Sequence, residues 1–413
     1  MKTSFKVEIQ PTAAQRRSLL QHAGNARWAF NWGLSRKKEA WEIRRTAIVA
    51  DGVDVKDAPK VPTAIDLHRE LNVLKKTTIP WMYNASKCAP QEALRNLDTA
   101  FQNFFRRCKT GEKPGYPRFK SRNRGIGGFR LTGTIRANHH SLRLPTLGRV
   151  RIKPGDHGYI PTLKYGQATV SEKADRWYVS VLGVETEEAT PNGLPSIGVD
   201  LGVARLATLS NGKVIENPKA LAAGAKRLRR AQQSLSRKKK GSFNRGRARA
   251  KVARVHAQIG NLREDALHKA TTFLAKNHGV IVIEDLQVKN MVKKGNRKRG
   301  LNRVLHDASF GEFRRQLEYK AKLYGARVVA VPAAYTSQRC SCCGHVEAAN
   351  RPSQAAFCCL SCGHAANADH NAAINILLAG SCPESQNACG ADVRRGGLTA
   401  ATQPAVKQES AVA

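Results

Sequence analysis

Acidic residues are scarce in this 413-residue chain: 31 Asp and Glu stand against 70 Lys and Arg, a formal net charge of +39. So one-sided a balance, spread over most of the length, argues against a merely solubilising surface. It points to polyanionic partners held through phosphates and counterion release, with an anionic membrane surface as the weaker competitor. No apolar run approaches the ~18 residues of a spanning helix, and the opening MKTSFKVEIQ lacks the apolar segment of a secretory signal. Those two absences predict a cytoplasmic protein, in which thiols stay reduced. Disulfides are then not expected, and the ten cysteines are left for metal binding or inert burial. With 41% hydrophobic residues, a chain of this length can build more than one core.

A strand-like FKVEIQ precedes Thr12, whose spacing to Gln15 is that of a capping box and predicts a helix from about residue 13. Helical patterning runs to about Cys108, interrupted by the Pro- and Gly-containing stretch 51–62. Trp28, Phe30 and Trp32 lie among Arg27, Arg36, Lys37 and Lys38, where they can serve as core or as base-stacking platforms. From 109 the texture turns to Gly, Pro and Arg and then to short strands (SLRLPTLGRVRI, QATVSE, WYVSVLGVE), a small antiparallel β domain with a basic face. Lys113, Tyr116, Arg118, Phe119, Lys120, Arg122 and Arg124 interleave cations with aromatics, which suits a groove tracking a nucleic-acid backbone. A solvated β edge is the alternative.

A linker, EEATPNGLP, leads to a hairpin or meander with an Asn-Gly turn. Residues 219–277 read as mostly helical, the second part carrying Ile259, Leu262, Ala266, Ala270 and Phe273 on one face. There follow a buried strand at GVIVIEDL, a polar loop NMVKKGNRKRGLN, an amphipathic helix through Phe310, Phe313, Leu317, Ala321 and Tyr324, and a last strand ARVVAVP. Strands with crossover helices make this half α/β. The tail, 381–413, has the composition of a disordered segment.

CSCCGH and CLSCGH are near copies of each other. Their alignment pairs Cys340 with Cys343 and Cys359 with Cys362, each pair followed by Gly-His. Fifteen residues separate the pairs, the spacing of a closed structural zinc site with four thiolates. Gly344 and Gly363 let the backbone fold back so that amides can reach the sulfurs. Cys342 and Cys358 fall outside the repeat, and His345 and His364 are surplus to a completed tetrahedron.

In a chain short of acids, three stand on apolar elements: Asp200 in IGVDLGV, Glu284 after VIVI, and Asp369 before AAINILL. A carboxylate so placed pays a desolvation cost unless it is paired or metal-bound. Singly, each has an ordinary reading: a turn acid before Gly202, a surface residue at a strand end, a helix N-cap. Together, on successive elements of one α/β half, they suggest a carboxylate cluster holding two Mg²⁺ ions for phosphodiester hydrolysis.

IGVDLGVARLAT, IVIEDL, YTSQRCSCCGH…CLSCGHAANADHNAAINIL and GYPRFKS together resemble the TnpB family, RNA-guided nucleases encoded by insertion sequences and similar to the ancestor of type V CRISPR effectors. The resemblance covers nearly the whole chain. It implies a multi-domain α/β protein with a RuvC-type nuclease domain of RNase H-like fold at 195–336 and 366–380. A zinc ribbon at 337–365 is inserted just before the third acid. The N-terminal half becomes a β-barrel wedge domain, 1–10 and 109–190, with a helical recognition insertion at 11–108. The same resemblance implies Asp200, Glu284 and Asp369 as catalytic acids, one structural Zn²⁺ and two catalytic Mg²⁺. Its partners would be a guide RNA from the protein's own locus and double-stranded target DNA, cut to leave a 5′-phosphate and a 3′-hydroxyl. A DNA-joining transposase shares the RNase H-like core, but its third acid is usually Glu, and the order here is Asp-Glu-Asp. A guided DNA-binding repressor without cleavage would be expected to lose one of the acids, and all three are present.

Overall fold

The computed structural model describes residues 2–122, 125–156, 160–161, 164–185, 189–292 and 299–381. The expected disordered tail, from 382 onward, lies outside the described residues, as do Arg124 and 293–298 of the polar loop. The chain divides into two compact units, Met1–Thr190 with Pro218–His268 and Pro191–Asn217 with Lys269–Ala413.

The first unit opens with β1 (Lys2–Gln10) and α1 (Ala13–Val49). The Thr12 hydroxyl accepts from the Gln15 amide at 3.3 Å, while Gln15 Oε1 accepts from the Thr12 amide at 3.0 Å. Two backbone donors that a helix start leaves orphaned are thereby satisfied reciprocally. Thr63 and Asp66 cap α2 (Ala64–Thr77) in the same way. With α3 (Cys88–Lys109), these helices share a core that includes Leu34, Leu67, Leu71, Leu94 and Leu97.

The chain then builds β2 (Gly128–Asn138), β3 (Ser141–Leu144), β4 (Gly148–Ile152), β5 (Lys164–Lys173) and β6 (Arg176–Glu185). They join β1 in a closed barrel of order β1-β4-β3-β2-β5-β6. Val7, Leu131, Leu142, Val150, Val170, Trp177 and Val179 are buried within the same core, and closure leaves no unpaired strand edge. Helices α1–α3 thus lie in sequence between the first two barrel strands.

The helical pair α4 (Ala220–Ser236) and α5 (Phe243–Asn277) groups with this unit as far as His268, whereas 195–336 was expected to be one stretch of nuclease domain. Of two contacts within the unit, the first ties α4 to α5 and the second ties α5 to the turn between β5 and β6. Leu228 and Ala231 pack with Val255 and Ile259, and Arg254 reaches Asp175 Oδ2 through Nε at 3.2 Å and Nη2 at 2.8 Å. The anticipated stripe on α5 is only partly observed: Ile259 and Ala270 are buried but Leu262 is 44% exposed, and the other buried positions include Val255, Leu267, Leu274 and Ala275. Because α5 contributes residues to both units, one continuous stripe is the wrong template for it.

The second unit is α/β. β7 (Ile197–Leu201), β8 (Arg205–Leu209) and β9 (Val214–Glu216) form an antiparallel meander, with Gly212 of the Asn-Gly pair at φ +81°. β10 (Val280–Glu284) and β11 (Arg327–Val331) add in parallel, giving the order β11-β10-β7-β8-β9. Between them run α6 (Val288–Met291), α7 (Arg299–Ala308) and α8 (Phe310–Tyr324). The last buries Phe310, Phe313, Leu317 and Ala321 as its periodicity predicts, while Tyr324, expected on the same face, is 37% exposed. After a small hairpin of β12 (Ala356–Cys358) and β13 (Ala365–Asn367), α9 (Ala368–Ser381) returns to the sheet. Gly198 on β7 permits that return, since a Cβ there would lie 2.1 Å from the Ala373 carbonyl oxygen. No helix among the described residues is long and apolar enough to cross a membrane.

Candidate active site

Asp200 stands on β7, paired with Thr208 of β8. Glu284 ends β10 immediately after Ile283, which pairs with Val199, so the parallel register sets the two acids on adjacent strands at the same level. Asp369 comes from the first turn of α9, the helix that lies on β7 at Gly198. Burial, then Glu284, then Asp369 push the Asp200 carboxyl up to about 7, against a downward pull from Arg351. A carboxylate sharing a desolvated site with two others retains its proton near neutrality. Burial also raises Glu284, opposed by the Thr336 hydroxyl, which donates to its Oε1 at 2.5 Å.

The N-cap role open to Asp369 belongs to Asn367, whose Oδ1 accepts from the Asp369 amide at 3.1 Å and the His370 amide at 3.3 Å. The Asp369 carboxylate instead faces Arg351, with Nη2 3.4 Å from Oδ1. Asp285, the neighbouring acid on β10, is committed elsewhere, its Oδ1 paired with Arg314 at 2.5 Å.

Four residues that sequence reasoning passed over hold this arrangement. Asn371 donates to the Arg339 carbonyl at 2.7 Å and accepts from the Ser341 amide at 2.9 Å. One turn on, Asn375 donates to the carbonyls of Thr336 at 3.0 Å and Arg339 at 2.6 Å. One helix therefore presents Asp369 and also fixes Thr336, which in turn holds Glu284. Two asparagines four residues apart in the apolar run of α9 were a readable signal, since buried amides require partners. Thr336 and Arg351 carried none: Arg351 is one of 70 cations.

The four cysteines of the repeat converge. Their sulfurs all lie within 4.8 Å of one another, the one potential metal-ligand cluster of that tightness among the described residues; the three acids are more widely spaced. Cys340 and Cys362 sulfurs are 3.7 Å apart, and those of Cys343 and Cys359 3.6 Å. The edge of a tetrahedron with Zn–S bonds near 2.3 Å is about 3.8 Å. The two knuckles share one backbone turn. Gly344 and Gly363 amides donate to the Cys340 and Cys359 carbonyls at 3.0 and 2.9 Å. Both glycines have positive φ, +77° and +73°, and the Cys362 amide reaches Cys359 Sγ at 3.5 Å. Cys342 and Cys358 are exposed and lie outside the cluster.

The cation–aromatic stretch is no β edge, for β2 begins only at Gly128. It lies along α1 as irregular chain: Asn31 donates to the Lys120 carbonyl at 2.9 Å and accepts its amide at 2.8 Å. Tyr116 packs edge-on against Phe101 and Phe104 with centroids 5.6 and 5.3 Å away. Lys113, Arg118, Phe119, Lys120 and Arg122 are exposed, and Arg118, Phe119 and Lys120 line a pocket of ≈ 320 Å³ with Arg27. Arg124 lies outside the described residues. Of the α1 aromatics, Phe30 is core, while Trp28 and Trp32 are only partly buried.

Known proteins share this chain's sequence along most of its length. A family model described as "Probable transposase" matches residues 178–295, one described as "Cas12f1-like, TNB domain" matches 310–376, and a "Helix-turn-helix domain" model matches 1–46. In the structure that last span holds β1 and part of one unbroken helix. "Putative RNA-guided DNA endonuclease InsQ" of Escherichia coli (strain K12) is 38% identical over 408 residues, 95% of each chain. "Putative RNA-guided DNA endonuclease" of Streptomyces pristinaespiralis is 35% identical over 420 residues, 99% of this chain and 96% of that one. "TnpB-like protein L79" of Acanthamoeba polyphaga mimivirus is 32% identical over 153 residues, 37% of this chain and 28% of that one. With relatives this similar over nearly its full length, the chain belongs to the TnpB family.

Proposed function

We propose that the protein is an RNA-guided DNA endonuclease whose cleavage centre is the Asp200–Glu284–Asp369 cluster. In this reading the second unit is a RuvC-like nuclease domain carrying a zinc ribbon, the barrel is a wedge domain, and α1–α3 form the recognition insertion. The observation that carries it is the delivery of three acids to one end of one sheet by three separate elements, in a chain otherwise poor in acids.

The donor set is all carboxylate oxygen, the preference of Mg²⁺, and the upward push on the Asp200 carboxyl marks a site short of positive charge. Two Mg²⁺ ions held by Asp200, Glu284 and Asp369 would supply Lewis acidity at the scissile phosphate and an activated water. The chain's own residues prepare that site. Positive charge held there would favour the ionised form of Asp200. The Thr336 hydroxyl keeps one Glu284 oxygen directed and opposes the rise that burial imposes on the carboxyl. Arg351 is a cation already at the cluster, able to pass from Asp369 to a phosphate oxygen. Cys340, Cys343, Cys359 and Cys362 would hold one Zn²⁺, and a reducing cytoplasm would keep their thiols available. Sequence would be read by pairing between a guide RNA from the protein's locus and target DNA, with the basic surface holding phosphates.

The test uses purified protein with the RNA that accompanies it, a matching DNA duplex and Mg²⁺. Asp200→Ala and Asp369→Ala should form the guided complex yet cut on the order of 10³-fold more slowly, while Asp285→Ala should still cut. Normal cutting by Asp200→Ala or Asp369→Ala would sink the assignment.

A further inference from the structure

Trp28 and Trp32 lie one turn apart on α1, ring centroids 5.9 Å apart and planes within 9° of parallel. Trp81, from the short 3-10 turn Pro80–Asn84, meets Trp28 edge-on at 6.0 Å. Three of the chain's five tryptophans thus form one cluster, and Trp81 is 45% exposed. Trp28 and Trp32 are partly buried against the core to which Ala29, Phe30 and Leu34 of the same helix belong, which leaves part of each indole outside it.

The cluster walls a groove of ≈ 630 Å³ whose other lining includes Gly24, Asn31 and Arg27. A Cβ built at Gly24 would touch nothing within 4 Å, so the groove floor is open helix backbone. Arg27 also lines the ≈ 320 Å³ pocket that Arg118 and Lys120 border. Its Nη1 is anchored on the Ile126 carbonyl at 3.3 Å. Indole faces and a row of cations therefore meet at one side chain, and neither lining includes an acid.

We propose that this groove binds unpaired bases of a single-stranded nucleic acid, stacked on the Trp28–Trp32–Trp81 cluster, with Arg27, Arg118 and Lys120 on the adjoining phosphates. The inference rests on nucleic acid being the partner, as proposed above, but not on cleavage. A paired base inside a duplex has both faces covered by its neighbours, whereas an unpaired base offers a face to an aromatic ring regardless of its identity. The 5.9 Å spacing of Trp28 and Trp32 is too narrow to admit a ring between them, since two stacking distances come to about 7 Å. A base must instead extend the cluster from outside, which makes exposed Trp81 the residue to test.

Full-length protein is titrated with a short oligothymidylate, an oligouridylate of equal length and a blunt duplex, following tryptophan emission and binding anisotropy. At least one single strand should quench emission, and the duplex should not. The strand that binds more tightly identifies DNA or RNA as the source. Trp81→Ala should weaken single-strand binding roughly 5- to 150-fold, with Trp81→Phe restoring most of it. Arg27→Ala should lower the salt slope by about 0.7. Quenching by neither oligonucleotide, equal quenching by the duplex, or parental affinity in Trp81→Ala would overturn the proposal. So would an acidic peptide that occupies the groove without competing with oligonucleotides. Asp200→Ala carried through the same titrations should quench like the parent, so a failure of this site is distinguishable from a failure of the nuclease reading.

Discussion

Asn367 and Asp369 divide between them two jobs that one aspartate could have been given. Asn367 caps α9 and Asp369 is left to pair with Arg351 beside the other acids, so substitutions should separate stability from chemistry. Asn367→Ala should cost about 1 kcal/mol of stability, seen as a lowered denaturation midpoint. Asp369→Asn should leave that midpoint nearly unchanged while abolishing cleavage. The acids themselves were legible because each interrupts an apolar run; Thr336, which holds Glu284, is an unremarkable threonine until its partner is known. Its role predicts that Thr336→Val raises the Mg²⁺ needed for half-maximal cleavage by about 10- to 100-fold and that Thr336→Ser restores it. A Mg²⁺ titration unchanged in the valine variant would show the hydroxyl to be dispensable. His22 gives a pH-dependent case. It is buried, its Nε2 accepts the Ser86 amide at 2.9 Å, and its Nδ1 therefore donates to the Ser18 carbonyl at 2.7 Å. Burial lowers its pKa below the ordinary 6.5, against the Ser18 bond. The unfolded chain then takes up a proton first, so this stability is present above about pH 6.5 and is lost as pH falls through the folded value. His22→Gln should be less stable at pH 7.5 and flatten the decline toward pH 5 by up to about 1.4 kcal/mol per pH unit. Parallel pH curves for the two proteins would show that another group titrates.

Elements with a local code were the readable ones. The capping box at Thr12, the Asn-Gly turn and the duplicated knuckles each consist of residues within a few positions of their partners, so spacing alone specifies them. The α5 stripe was not readable, because burial on a helix shared by two units is decided by neighbours distant in sequence. The same holds for the Asn371 and Asn375 ties, whose partners lie some thirty or more residues upstream. The ribbon shows what a local code leaves to a metal. Its buried apolar cluster consists of Cys340, Phe357, Cys359 and Ala368 alone, too little to close a fold without the binding energy of four thiolates. Cys343→Ser should therefore release zinc, lower the thermal midpoint and impair cleavage through the ribbon's attachment to α9, while Cys342→Ser should do none of these. Elemental analysis finding zinc absent from Cys342→Ser and kept in Cys343→Ser would reverse the register.

At the scale of the whole molecule, charge was the most legible property and the division into units the least. The excess of 70 basic over 31 acidic residues announces a polyanion, but which cations touch it depends on the surface they share. For Arg118, Lys120 and Arg122, replacement by Ala together should reduce the magnitude of the log K versus log salt slope by roughly 0.7–0.9 for each phosphate no longer neutralised. An unchanged slope in RNA-binding titrations would remove the segment from the interface. The grouping of 218–268 with the barrel unit was hidden because nothing in α4 or α5 names Asp175 as the partner of Arg254. The barrel itself has a consequence for how the protein is made. β1 pairs with β6 from Lys2↔Glu185 to Ile9↔Trp177, so during synthesis β1 finds that partner only after about 180 more residues. At roughly 5–20 residues per second, that is on the order of 10–40 s during which the edge of β1 that meets β6 stays open. Helices α1–α3 emerge during that wait. The nascent chain is most exposed to aggregation and to chaperone capture in that interval, and the last barrel strand ends it.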